Sequence, residues 1–458
     1  MTLTRTSTNR SNRSRHSRRS SHSHTTGTQP LSKTNSLQAA AAKASSGTAT
    51  NDGPDPLLGH LNHLSPEQTE ALQAFKAVIT EKKLYTAAEG EKAASHDDST
   101  LLRFLRARRF EVNGAVDQFS ATEEWRKTND IDTLYQNFDV DSYEEARRVY
   151  PQWTGRRDRR GIPIYVFVIK HLNSKNMAAY SSGASSTATS ATHASSKVPG
   201  RLLRLFALYE NMQRFVVPLC SSMPGRPHPE TPIVNTTNIV DISGVGLKQF
   251  WNLKGHMQDA SVLATAHYPE TLDRIFIIGA PAFFPTVWGW IKRWFDPVTT
   301  SKIFILSASE VKSTLSTFMD PANIPKQYGG ELEWEWGDMP SLDEPAKEIA
   351  SAMAQVGPRG DKEIPADVEV VGDTRKEFVK GPVMWNGDSV DILGSVGGAE
   401  RRRNIHIPKK KEVVVNGVQD AVTDAAAPVA VVDNEKVPEP ANKEAGINGN
   451  ASQVVAPV

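Results

Sequence analysis

Apolar residues follow three rhythms along this chain, and each predicts a different element. Near-continuous runs of β-branched and aromatic residues stand at 274–279 (Arg-Ile-Phe-Ile-Ile-Gly) and 302–306 (Lys-Ile-Phe-Ile-Leu). Such runs mark strands buried on both faces of a parallel sheet. Similar runs at 162–169 and 238–242 predict two more strands, the first preceded by the turn Asp158-Arg159-Arg160-Gly161. A helical rhythm begins at Ser65-Pro66-Glu67-Gln68, with a capping serine, proline at the first helical position and glutamine at the third, and continues through Leu72, Phe75 and Ile79. A second helix starts at Asp98. Leu101, Leu102, Phe104 and Leu105 form its apolar face, and Arg103, Arg106, Arg108 and Arg109 crowd the rest. A third, over 112–127, places Val112, Val116 and Phe119 on one side, and helical patterns return at 202–217 and 250–266. The expected fold is α/β: a small all-helical N-terminal subdomain, then helices alternating with strands of a mostly parallel sheet with right-handed crossovers.

The third rhythm lies between the two buried strands. Residues 286–295 carry Val287, Trp288, Trp290, Ile291, Trp294 and Phe295, with Lys292 and Arg293 as the charges. A crossover helix normally leaves one polar face to water, but this one is apolar around much of its circumference. Two readings stand: a fully buried core helix, or a lid whose second side needs another apolar partner and which swings between Pro281 and Pro285 at one end and Asp296-Pro297 at the other. A membrane span is excluded, because the charge-free run 275–291 is shorter than the ~20 residues required and is broken by two prolines and two glycines.

Elsewhere the patterning weakens. Residues 174–200 are mostly Ser, Ala and Thr and read as a flexible insertion. Beyond Gly330 strand-like pieces recur at 368–371 and 390–393, and from 401 the chain reads as a disordered tail. Hydrophobic residues make up 38% and aromatics 7%, and mean hydropathy is −0.43, all low for a fully globular chain. The net charge of +1 argues against a nucleic-acid partner, but it is unevenly spread: residues 1–50 contain eight Arg or Lys and no acid. That arm is expected to be disordered, either merely solvated, or touching anionic lipid or RNA, or acting as an import signal. The expected divisions are a basic arm (1–60), the helical subdomain (61–130), the α/β lobe (131–335), a C-terminal extension (336–400) and the tail (401–458). No apolar core follows the N-terminal charges, so no secretory signal is expected, and one cysteine, Cys220, excludes an internal disulfide framework. An intracellular protein is expected.

One nucleophile motif is present. Cys220 and Arg226 have the C-x5-R spacing of cysteine phosphatases, but a helix precedes the cysteine, Pro224 deletes an amide and prolines follow, so a phosphatase is the remote alternative. The run Ser243-Gly244-Val245-Gly246 lacks the glycine spacing for nucleotide phosphates. The twelve histidines form no sequence pair at metal spacing flanked by carboxylates, so neither metal nor cofactor is expected.

Six blocks carry a resemblance. LLRFLRARRFEV (101–112), YPQWTGRRDRRGIPIY (150–165), IVDISGVGL (239–247), YPETLDRIFIIGAP (268–281), FDPVTTSKIFIL (295–306) and IPKQYGG (324–330) together resemble the CRAL-TRIO family, and most of all its Sec-fourteen-like fungal phosphatidylinositol/phosphatidylcholine transfer proteins. The resemblance covers about 62–333 and implies a lobe whose sheet floors a lipid cavity, gated by a mobile helix at 286–295. It places the phosphatidylinositol phosphate on Arg108, Arg109, Thr299 and Lys302, with Glu270 bridging Lys302; the alternative is that Glu270 and Lys302 are an ordinary surface pair. The family's choline cage uses two tyrosines and two small hydroxyl residues. Here Tyr165 is in place, while Thr154 stands for the other tyrosine, Thr236 for a serine and Asn238 for a threonine, so the second lipid is expected to be a sterol or another phospholipid. Membrane contact falls on Trp288, Trp290, Ile291, Trp294 and Phe295. The resemblance thus implies a monomeric, cytoplasmic, peripherally membrane-associated lipid-transfer protein that presents phosphatidylinositol to lipid kinases and needs no cofactor. A carrier of another hydrophobic ligand, without phosphoinositide exchange, is the alternative.

Overall fold

Ser65 opens the first helix as its sequence predicts. Its Oγ accepts from the Gln68 amide (3.2 Å) while Gln68 Oε1 accepts from the Ser65 amide (3.0 Å), a closed capping box ahead of α1 (Pro66–Glu81). This is a computed structural model describing residues 55–183, 198–294, 300–355 and 378–407. α2 (Asp98–Ala107) and α3 (Val112–Thr128) pack on α1 through Leu72, Phe75, Leu101, Leu105 and Phe119. Two short helices that the periodicity does not predict, α4 (Ile131–Asn137) and α5 (Val140–Arg147), follow; at two turns each they are too short to display a period.

Five strands form the central sheet: β1 (Gln152–Arg157), β2 (Pro163–Val168), β3 (Thr236–Asp241), β4 (Leu272–Ile278) and β5 (Ile303–Ile305), in that spatial order. β1 runs antiparallel to β2 and the others are parallel, so the mostly parallel sheet is present. Tyr165, Asn238, Ile275 and Ile303 stand in register on one face, and Val166, Ile239, Phe276 and Phe304 on the other. Packing on both faces accounts for the apolar runs at 164–168, 275–278 and 303–306, while β1 and β3 also carry polar residues.

The stretch expected to be a flexible insertion instead begins as a helix, α6 (Ser174–Gly183). Tyr180 anchors it: the buried ring meets Tyr150 and the hydroxyl donates to the Arg201 carbonyl (3.1 Å). Residues 184–197 lie outside the described residues. α7 (Gly200–Asn211) continues through a π turn at Met212–Val216 into α8 (Val217–Ser222). α9 (Leu247–His267) joins β3 to β4, and α10 (Phe284–Ile291), the expected gate, joins β4 towards β5. α11 (Ala308–Phe318) covers the opposite face through Leu315 and Phe318.

The C-terminal extension is more ordered than its sequence suggests. α12 (Glu344–Gln355) is followed by β6 (Val383–Trp385) and β7 (Ser389–Ile392), the hairpin β8 (Ser395–Val396) and β9 (Ala399–Glu400), and β10 (Arg403–His406). β10, β7 and β6 form an antiparallel sheet, so the boundary expected at 401 falls too early; the strand expected near 390–393 is β7, and 368–371 lies outside the described residues. The reason is shared burial. Phe378, Val390, Ile392 and Ile405 complete one cluster with Trp153, Phe215 and Cys220 of the lobe, so a few apolar positions suffice where another surface supplies the second wall. Gly155, at φ +87°, permits the approach: a Cβ there would stand 2.5 Å from the Ser341 backbone, whose amide donates to the Thr154 carbonyl (2.7 Å).

Candidate functional site

Glu270 enters β4 from a left-handed backbone conformation (φ +57°), uncommon for a residue with a side chain. Its Oε2 accepts from Arg106 (2.9 Å) and lies 3.6 Å from Lys302 Nζ, which also donates to the Leu272 carbonyl (3.1 Å). The predicted Glu270–Lys302 pair is therefore present, with Arg106 as a third member that sequence reasoning missed. Its signal was available: of the arginines on α2, Arg103 and Arg106 stand one turn apart, and both reach the entry to β4. Arg103 donates to the Pro269 carbonyl (2.9 Å). Burial lowers the Arg106 pKa, with Glu270 opposing the shift, and the imidazole of His60 is held down to about 4 by burial and by Arg106.

Arg108 and Arg109 lie just past the end of α2, exposed, where positive φ at Arg109 and Phe110 turns the chain. Neither has an acidic partner among the described residues, and Thr299 lies outside them. A second charge cluster sits nearby, with Arg160 joining Asp158 (3.0 Å) and Asp273, and Arg274 also on Asp273 (3.0 Å).

Three of the four expected second-lipid residues come together. Tyr165 is opposite Asn238, whose Nδ2 donates to Thr236 Oγ1 (2.9 Å). Thr154 instead turns its hydroxyl to its own sheet, donating to the Ile164 carbonyl (3.1 Å). The β1 residue opposite Tyr165 is Trp153, in the same cluster. One step along a strand reverses the face, and the irregular register between Trp153 and Arg157 conceals the step from sequence.

The expected gate, α10, is neither wholly buried nor wholly exposed. Phe284 and Val287 are buried in one cluster with Phe250 and Leu253 of α9, Trp288 is half-buried, and Trp290 is 46% exposed. Across from it Trp251 of α9 is 63% exposed, the two indoles meeting edge to face at 6.2 Å. A cleft of 350 Å³ lies between them, lined by Leu247, Phe250, Trp251, Val287 and Trp290. Lys254 stands over the Trp251 ring at 5.4 Å. The side chains of Ile291 and Trp294, and Phe295 entirely, lie outside the described residues. A larger cleft, 640 Å³, opens on the opposite face at the ends of β2, β3 and β4, beside Asp241 and Tyr328.

The phosphatase reading fails on geometry. Cys220 is buried inside α8, where burial pushes its thiol far up, and Arg226 gives its N–H groups to the carbonyls of Ser221 (2.8 Å), His228 (3.0 Å), Pro229 (2.6 Å) and Thr231 (2.9 Å). Neither is available to a phosphate.

A sequence profile described as the CRAL/TRIO domain matches residues 147–330, and one described as the CRAL/TRIO N-terminal domain matches 71–121. A CRAL-TRIO domain-containing protein of Saccharomyces cerevisiae is 30% identical over 283 residues, 60% of this chain and 82% of the relative. The chain belongs to the CRAL-TRIO family. A SEC14 cytosolic factor of Kluyveromyces lactis is 32% identical over 279 residues, again 60% of this chain and 82% of the relative. The phosphatidylinositol/phosphatidylcholine transfer protein SFH9 of Arabidopsis thaliana is 32% identical over 379 residues, 78% of this chain but 57% of that one. The two CRAL-TRIO matches meet at the Glu270 corner, since Arg106 falls in one and Glu270 and Lys302 in the other; both end before α12 and the C-terminal strands. Among the described residues no helix is long and apolar enough to cross a membrane.

Proposed function

We propose that this CRAL-TRIO protein binds phosphatidylinositol and exchanges it with a second lipid between membranes. The observation that carries the reading is the Arg106–Glu270–Lys302 cluster, an ordered carboxylate between two cations beside the exposed Arg108 and Arg109. Inositol hydroxyls need an acceptor and the phosphate needs cations, and both are within one corner. The transfer protein named for phosphatidylinositol and phosphatidylcholine supports the same ligand class. Burial gains about 0.8 kcal/mol per CH₂, so acyl chains do not leave through water and exchange takes place on a bilayer. The exposed indoles and cations of the gate suit that encounter, because indoles favour the interface and cations the anionic headgroups. The buried Trp153 and Tyr165, packed among Phe215 and Phe378, offer no open aromatic cage, which supports a second lipid other than phosphatidylcholine. The protein works as a monomer from the cytoplasm and presents its phosphatidylinositol to lipid kinases.

The test is transfer of each lipid between vesicles of defined composition, with mass spectrometry of what stays bound. In Glu270→Ala/Lys302→Ala, phosphatidylinositol transfer is expected to fall by about a hundredfold, two charge-assisted contacts at about 1.5 kcal/mol each, while the second lipid is still carried. Loss of both lipids, or of neither, refutes the headgroup assignment, and a non-phosphoinositide ligand alone favours the carrier alternative.

A further inference from the structure

Two histidines far apart in sequence meet where the segment before α1 touches the loop between α8 and β3. His63 comes from the first, and His228 and Glu230 from the second. One ligand atom of each lies within 4.8 Å of the others. His228 Nδ1 is 3.4 Å and His63 Nε2 3.8 Å from the same carboxylate oxygen, Glu230 Oε1. A tetrahedral ion with bonds of about 2.0–2.1 Å sets its ligand atoms about 3.4 Å apart, so this spacing is near that of a bound site.

The hydrogen bonding of His63 sharpens the point. Its Nδ1 is 2.6 Å from Asp55 Oδ2, which fixes the proton on that nitrogen in the neutral ring and turns a lone pair outward at Nε2. That Nε2 is buried, has no hydrogen-bond partner and faces a carboxylate. A lone pair opposite a carboxylate lacks a positive charge between them. A carboxylate behind a histidine whose other nitrogen faces a metal is the usual arrangement for orienting such a ligand. The loop is also built to hold its shape. Arg226 donates to the carbonyls of His228, Pro229 and Thr231, Asn62 Nδ2 donates to the Glu230 carbonyl (2.7 Å), and Thr231 Oγ1 donates to the Leu61 carbonyl (3.2 Å). His228 itself sits at φ +52°. The twelve histidines show no metal spacing along the sequence because these ligands come from two loops.

We propose that His63, His228 and Glu230 bind a zinc-class divalent cation that ties the segment before α1 to the lobe. Two imidazoles and one carboxylate suit Zn²⁺ or Co²⁺ rather than Ca²⁺ or Mg²⁺, which take oxygen ligands, and leave one position for water. His60, three residues from His63, lies against Arg106 and Glu270, so the ion would fix the segment bordering the headgroup corner.

The experiment is titration of the chelator-treated full chain with Co²⁺, read by the visible bands of the tetrahedral ion, followed by competition with Zn²⁺. One equivalent is expected to bind and to be displaced by zinc, with a rise in melting temperature. His228→Ala and Glu230→Gln change exposed side chains and should weaken binding by about a hundredfold, and Asp55→Asn by about tenfold. His22→Ala/His24→Ala, in the basic arm, should keep the site intact. Absence of stoichiometric tetrahedral binding, or equal binding in His228→Ala, overturns the proposal; the first result would mean that His63 is held simply by its hydrogen bond to Asp55.

Discussion

Where β4 begins, charges are paired and partly buried: Glu270 lies between Arg106 and Lys302, and Asp273 between Arg160 and Arg274. Along the outer sides of α9 and α10, Trp251 and Trp290 are exposed, and no acidic residue occurs over 242–258 or 274–295 to neutralise Lys248, Lys254, Lys292 and Arg293. The first corner is organised before any ligand arrives. The second leaves apolar rings and cations uncovered, an arrangement that costs solubility unless another surface takes them up. The recognition and docking proposed for these two regions thus make opposite demands on one lobe, a stiff polar site against an unfinished amphipathic one.

The largest expected effect tests the stiff corner. Arg106→Ala leaves the partly buried Glu270 with Lys302 as its remaining cation, and is expected to lower stability by about 1.5–3 kcal/mol and to abolish phosphatidylinositol transfer, measured by denaturant unfolding and vesicle assay. Stability unchanged within error would show that the cluster is only a surface pair. Trp251→Ala/Trp290→Ala tests the other corner. Each indole gains about 1 kcal/mol at an interface, so vesicle association should weaken about thirtyfold with little change in unfolding. Weakened folding instead would place these rings in the core and end the contrast.

A pH titration also tests the stiff corner, through His60. His60 beside Arg106 and His267 stacked on Trp125 are held near 4, below the 6.5 of an exposed imidazole, chiefly by burial. As pH falls the unfolded chain takes up protons first, so their contribution is complete above about 6.5 and is lost between 6.5 and 4. The gate has no histidine over 280–294. Melting temperature is therefore expected to fall through this window, and His60→Gln to flatten the slope; an unchanged slope in His60→Gln would mean that the imidazole is not buried neutral beside Arg106.

The sheet was legible because packing on both faces leaves apolar runs in β2, β4 and β5, and α1 because its cap spells itself out in four residues. The Glu270–Lys302 pair was legible through the motif that carries it. Arg106 was missed, since four arginines within seven residues look alike unless the one-turn spacing of Arg103 and Arg106 is read as the pair that the fold turns inward. β1 was hidden by Gly155 and an irregular register, and the exposed Trp251 by a helix whose apolar residues lie on more than one side. Of the C-terminal strands β7 was expected, and the others were missed for a different reason: their core is half supplied by Phe215 and Trp153, far away in sequence.

The smallest expected effect distinguishes the corners by screening alone. Lys248, Lys254, Lys292 and Arg293 are exposed or half-exposed, so their attraction to an anionic bilayer acts through water and decays over a Debye length of about 10 Å at 0.1 M salt, shrinking to about 3 Å at 1 M. The Glu270 cluster is partly withdrawn from solvent and is screened much less. Raising salt from about 0.1 to 0.5 M should weaken association with anionic vesicles severalfold, leave association with neutral vesicles nearly unchanged, and leave the amount of phosphatidylinositol already bound the same. If salt instead releases the bound lipid, the headgroup is held by exposed cations such as Arg108 and Arg109, and the Glu270 corner orders the protein more than it grips the ligand.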